Sequence, residues 1–158
     1  DKDIIDYLKY NMRSQIYAKS LPMPIVEGCL KRLDIIDSPE GDALRAQLWK
    51  VTRRLQEGFR ELGLEIGPAE ACVTPVHVKA GVNQAANIAV ALREEYHIFC
   101  SVVIYPVIPP GMVIFRIIPT AAHSMEDVER TLAAFKDMKE RLDRGEFDKE
   151  MPNMALLK

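Results

Sequence analysis

Pro109-Pro110-Gly111-Met112-Val113-Ile114-Phe115-Arg116-Ile117-Ile118-Pro119-Thr120-Ala121-Ala122-His123-Ser124 is the stretch on which the fold turns. A proline-rich turn leads into an apolar, β-branched run, and a Pro-Thr turn closes it before a serine suited to cap a helix. Arg116 is the anomaly of the run. Arginine is seldom fully buried unless its charge is paired, and an unpaired buried charge is strongly destabilising. Phe115, Ile117 and Ile118 place this backbone inside the protein. Arg116 is therefore expected to need an anionic partner, from the chain or from a ligand.

Outward from this strand the pattern continues on both sides. Residues 98–105, Ile-Phe-Cys-Ser-Val-Val-Ile-Tyr, read as a second strand, joined to the 112–118 strand by the loop 106–111. The two can pair antiparallel. Residues 71–78 are also β-rich, and Pro75 argues for an edge position because it cannot donate to a ladder. Residues 83–95 read as a short helix. Downstream, Ser124 with Asp127 three residues on has the form of a capping box. Val128, Leu132, Phe135, Met138 and Leu142 give the last helix its buried face.

The first half is helical. Ile4, Ile5, Leu8 and Met12 form a stripe, residues 13–24 read as a break, and Pro22 with Pro24 suits a helix start. Ser38-Pro39-Glu40 is a stronger start, followed by Leu44, Leu48, Val51, Leu55, Phe59 and Leu62 at helical spacing up to Gly63. The predicted order is helix, helix, helix, β, α, β, β, α. This is an α+β fold, a small, mainly antiparallel sheet with helices on one face, preceded by a helical segment. The expected boundaries are 1–37 for connecting helices, 38–146 for the α+β domain and 147–158 for a loosely held tail.

At 158 residues the chain is long enough for one sizeable core. A net charge of -2 with no basic stripe argues against a nucleic-acid partner and gives no sign of membrane contact. No apolar run reaches the length of a membrane span. Cys29, Cys72 and Cys100 are scattered in apolar segments and read as buried thiols in a reducing, cytoplasmic compartment. The chain begins without Met in what reads as the middle of an amphipathic helix, so it is expected to be a piece of something longer.

Glycine-rich phosphate loops, C-x-x-C and G-x-S-x-G are all absent, and His77, His97 and His123 lack metal-ligand spacing, so no metal site is expected. Three features remain. Arg116 offers a planar fork suited to a carboxylate, with a protein acid or a ligand as partner. His123, just before a helix cap, reads as a structural hydrogen-bonder. Lys19 and Ser20, beside a proline-started helix, could hold a phosphate, although serine there is usually only a cap.

Three segments, in order, resemble the C-terminal region of the α-oxoamine synthases, pyridoxal-phosphate-dependent acyltransferases of aminotransferase class I/II and fold type I. Residues 16–22, Ile-Tyr-Ala-Lys-Ser-Leu-Pro, resemble F-[ST]-x-S-L-P-P. Residues 104–111, Ile-Tyr-Pro-Val-Ile-Pro-Pro-Gly, resemble Y-P-x-V-P-x-G. Arg116 with residues 121–124, Ala-Ala-His-Ser, resembles R-x-x-x-[ST]-A-x-H-[ST], the most specific of the three. The resemblance implies an enzyme that joins an amino acid to an acyl thioester. It implies that Arg116 pairs with the substrate α-carboxylate, and that Tyr105, Pro106 and Pro109 belong to a mobile loop over the site. It also implies that Lys19 and Ser20 reach the cofactor phosphate of the neighbouring subunit in a homodimer. Ala18 departs from the family, which usually has Ser or Thr there.

The family's Schiff-base lysine is expected upstream of Asp1, because Lys2, Lys9, Lys19 and Lys31 do not sit in its context. No catalytic residue is expected within the 158 residues, which alone should be inactive. The extension 139–158 and the apolar loop Val107-Ile108-Pro109-Pro110 lean toward a serine palmitoyltransferase-like member making 3-ketosphinganine and CO2 for sphingolipid synthesis. The alternatives within the family are 8-amino-7-oxononanoate synthase and 2-amino-3-ketobutyrate coenzyme A ligase. Outside it stands a free-standing amino-acid-binding regulatory module, in which Arg116 grips a carboxylate without chemistry.

Overall fold

The computed structural model describes residues 1–148. The chain forms two compact units, Asp1–Asp42 and Ala43–Lys158. In the first, α1 (Lys2–Asn11) is capped by Asp1, whose carboxylate accepts the Asp3 N–H at 3.0 Å. A single turn, α2 (Arg13–Ile16), stands where the sequence read a break, because only Met12, in an extended conformation, interrupts the helix. Helix α3 (Met23–Ile36) starts at Pro22, as its prolines predict. None of these three helices buries a residue. Cys29 on α3 is consequently exposed, which corrects its reading as a buried thiol.

Ser38 opens α4 (Pro39–Glu61) by accepting the Gly41 N–H at 3.3 Å while donating to the Ile35 carbonyl at 2.7 Å. This satisfies one of the orphan donors of the first turn. Gly63, at φ 69°, ends the helix in the left-handed conformation that glycine adopts without a Cβ penalty.

The second unit adds β1 (Thr74–Val78), α5 (Val82–Tyr96), β2 (Ser101–Val103), β3 (Val113–Ile117) and α6 (Met125–Asp143). The three strands form an antiparallel sheet in the order β1-β3-β2. The pairing of β2 with β3 and the edge position of β1 agree with the sequence, although each strand is shorter than its apolar run. Val51, Leu55 and Phe59 of α4, Ile88 and Leu92 of α5, and Val128, Leu132, Phe135 and Met138 of α6 are buried together with Val76, Val113 and Phe115 of the sheet. Three rings tie these layers together. Phe135 meets Phe59 edge-on at 5.1 Å and Phe115 at 6.2 Å. Gly58 lets α4 approach α6 closely, since a Cβ there would run into the Leu132 side chain. Gln56 crosses from α4 to β1, donating to the Thr74 hydroxyl at 3.1 Å and the Ala71 carbonyl at 3.0 Å.

Phe147, expected to open a loose tail, is in the core, with Arg141 stacked 4.9 Å over its ring and its carbonyl accepting from Asn87 at 2.9 Å. The remainder of that expected tail, 149–158, lies outside the described residues. Among the described residues no helix is long and apolar enough to cross a membrane, and no group of His, Cys, Asp and Glu could hold a metal ion.

Candidate functional site

Successive side chains of a strand point to opposite faces. On β3, Val113, Phe115 and Ile117 enter the core, which sends Ile114 and Arg116 to the other face. Arg116 is thus exposed, correcting its sequence placement in the interior. The register defines its surroundings. Arg116 stands between Pro75 of β1 and Ser101 of β2, and the adjacent row is His77, Ile114 and Val103. The arginine therefore lies at the centre of an open sheet face with mostly apolar neighbours.

Its one protein partner among the described residues is uncharged. Arg116 Nε donates to Ser101 Oγ at 3.0 Å. No carboxylate of the described residues lies within ion-pair distance of it. Several arginines elsewhere in the second unit are ion-paired: Arg54 bonds Glu129 at 2.7 Å, Arg141 bonds Glu95 at 2.7 Å and Arg144 bonds Glu146 at 2.7 Å. Guanidinium has five N–H donors, so both terminal nitrogens of Arg116 remain available for bidentate contact with an anion.

Ser101 was missed in the sequence. Its signal was a lone hydroxyl within an apolar strand, but its position opposite Arg116 follows only from the register. His77 was also passed over. Its Nδ1 is buried without a hydrogen-bond partner, while its backbone N–H donates to the Glu65 carbonyl at 2.8 Å.

The loop between β2 and β3 enters β3 three residues before Arg116. Its Tyr105–Pro106 peptide is cis, the Val107 N–H donates to the Ile104 carbonyl at 3.1 Å, and Gly111 takes φ 84°. Tyr105 and Val107 are exposed apolar groups on it. Pro106 and Pro109 share this segment, as the sequence arranged them.

His123 sits elsewhere, beyond the C-terminal end of β3. Its Nδ1 accepts the Thr120 N–H at 2.9 Å, and its carbonyl accepts from Gln47 at 3.2 Å. Next to it, the Ser124 backbone N–H and hydroxyl hold the Asp127 carboxyl below its ordinary range, with Arg130 adding to the effect. His123 and Asp127 line a pocket of about 140 Å³ with Phe99 and Ile118. That volume is below the roughly 300–1,000 Å³ of small-molecule sites. The open face around Arg116 is the stronger candidate. Lys19 and Ser20 belong to the first unit, where both side chains are exposed and lack a hydrogen-bond partner among the described residues.

The family model for aminotransferase class I and II matches residues 1–135. The chain is 49% identical to a cysteate-C-fatty acyltransferase of Capnocytophaga ochracea, over 96% of its own length and 37% of that protein's. It is 34% identical to an 8-amino-7-oxononanoate synthase of Symbiobacterium thermophilum, over 84% of the chain and 33% of the relative. Among solved structures it resembles the serine palmitoyltransferase of Sphingomonas wittichii, with a TM-score of 0.75 and 28% identity over 86% of the chain and 34% of that structure. The chain thus spans about a third of the length of the curated relatives it matches. With a family model covering most of its residues and these relatives around it, the chain belongs to the aminotransferase class I and II family, on its α-oxoamine synthase branch.

Proposed function

We propose that this chain is the C-terminal part of a pyridoxal-phosphate-dependent acyltransferase that condenses an amino acid with an acyl thioester. The observation that carries the reading is Arg116, whose two terminal nitrogens stand open on the sheet face without a protein carboxylate. A clamp of that kind binds the amino acid by its α-carboxylate and fixes the orientation of the bonds at Cα. The 49% identity to a cysteate-C-fatty acyltransferase supports cysteate as the amino acid and a long-chain acyl thioester as its partner. Serine is the second reading, supported by the likeness to a serine palmitoyltransferase at 28% identity.

The exposed ammonium of Lys19 and hydroxyl of Ser20 fit the donor chemistry of a phosphate, and these residues would hold that end of the cofactor. Bound pyridoxal phosphate supplies an electron sink for a bond broken at Cα. In this reading Tyr105, Pro106 and Pro109 exclude water from the loaded face, and His123 braces the turn into α6. Residues 1–37 connect to the remainder of the enzyme, 38–146 form its C-terminal domain, and the whole is a cytoplasmic homodimer.

The test uses the full-length enzyme. Cysteate, serine, alanine and glycine are assayed against palmitoyl, pimeloyl, succinyl and acetyl thioesters, with the highest kcat/KM expected for cysteate and palmitoyl. Arg116→Ala should weaken amino-acid binding by about 2–5 kcal/mol, the cost of removing one half of a desolvated charge pair. Unchanged amino-acid affinity would end the clamp assignment.

A further inference from the structure

An arginine can present a carboxylate with either of two donor edges: the side edge made by Nε and one terminal nitrogen, or the end edge made by both terminal nitrogens. These edges point in different directions, so the edge used decides where the carboxylate lies. We infer that Ser101 is a positioning residue, which selects the end edge of Arg116 for the substrate carboxylate by occupying Nε. The inference rests on the proposed carboxylate clamp.

Three observations carry it. Ser101 and Arg116 are direct cross-strand partners on one face, so their proximity is set by the backbone register rather than by a chance side-chain excursion. The bond is made by Nε, at 3.0 Å, and leaves both terminal nitrogens without a partner among the described residues. On the other side Arg116 faces Pro75, which has no polar side-chain group to compete for the guanidinium. Ser101 is thus the one neighbour in that row able to fix the guanidinium plane.

The consequence is energetic as well as geometric. Arginine is a long, rotamer-rich side chain, and ordering it on binding opposes association. A guanidinium held in place before the substrate arrives loses less freedom at that moment. It also has one edge to offer instead of two, which fixes the carboxylate and hence Cα. Ser101 touches Arg116 and acts through it.

The experiment uses the full-length holoenzyme, with cysteate and serine as probes and calorimetric titration as readout. Ser101→Ala is expected to raise the amino-acid Kd roughly tenfold, the scale of one lost hydrogen bond to a charged group. Ser101→Val, whose β-branched side chain suits a strand but carries no hydroxyl, should behave alike, and Ser101→Thr should keep affinity within about threefold of wild type. The KM for the acyl thioester should stay unchanged in all three. In an Arg116→Ala background, adding Ser101→Ala should change the amino-acid Kd less than twofold. Wild-type affinity in Ser101→Ala, a full loss that persists without Arg116, or an equal rise in the thioester KM would each overturn the role of Ser101. If Arg116→Ala itself leaves amino-acid binding unchanged, the clamp reading falls and the inference falls with it. A weakened Arg116→Ala beside an unaffected Ser101→Ala overturns the Ser101 role alone.

Discussion

Phe135 is where the architecture of the second unit can be tested without reference to function. Its ring is in edge contact with Phe59 of α4 and Phe115 of β3 while belonging to α6, so one side chain joins three elements. Only 3% of it is exposed. An aromatic side chain buries about 150–250 Å², which at about 25 cal/mol per Å² corresponds to roughly 4–6 kcal/mol of transfer free energy. Measured Phe→Ala costs of about 3–5 kcal/mol agree with that scale, and two aromatic contacts place this site at the upper end. Phe135→Ala should therefore cost about 4–5 kcal/mol, a large part of the 5–15 kcal/mol that typically separates folded from unfolded states. Phe135→Leu keeps most of the apolar volume and should lose about 1–2 kcal/mol, largely the two ring contacts.

Urea unfolding followed by circular dichroism gives both values. A double-mutant cycle with Phe59→Leu should return a coupling of about 0.5–1.5 kcal/mol, the range of an edge-to-face pair. A Phe135→Ala cost below about 1.5 kcal/mol would mean that α4, α6 and β3 do not share one core. Additivity with Phe59→Leu would remove the ring contact from the account.

Two further predictions concern the cap of α6 and the thiols. Ser124→Ala should cost about 1 kcal/mol through the lost cap. The Asp127 part of this cap depends on pH: because its folded-state pKa is lowered, its contribution is present above the unfolded value of about 3.9 and is lost as pH falls through the folded one, so wild type and Asp127→Asn should converge in stability on acidification. Burial pushes the Cys100 thiol up to about 11, while Cys29 is exposed, so mass-spectrometric mapping of iodoacetamide labelling at pH 8 should find Cys29 modified first and Cys100 last. Faster labelling of Cys100 than Cys29 would contradict the packing of the segment leading into β2.

Most of the fold was legible because its signals are local. The Ser38 and Ser124 caps, the left-handed Gly63 and the apolar spacing of α4 and α6 each lie within a few neighbouring residues, and each appears where the sequence placed it. The errors have physical causes of another kind. The 13–24 segment holds a turn of helix because one extended residue, Met12, suffices to separate α2 from α1. Phe147 follows Gly145, a signal for the end of a helix, yet its ring finds Arg141 and the core. Nothing local announces that contact.

Arg116 shows how the site was half legible. Its flanking residues made it look buried because Ile114 and Ile118 hide the alternation of β3: an apolar residue lies on each side of the arginine on the outward face as well as on the inward one. Register, a long-range property, separates the two faces and brings Ser101 opposite the guanidinium. The same apolar neighbours then acquire a role. Pro75, Ile114 and Val103 cannot compete for the charge, and under the proposed clamp a carboxylate lying over them would displace water from around it. In that lower dielectric a carboxylate gains more from the open edge of Arg116 than it would on a polar surface. The outward hydrophobic residues that obscured the exposure of Arg116 are thus what would make it an effective clamp.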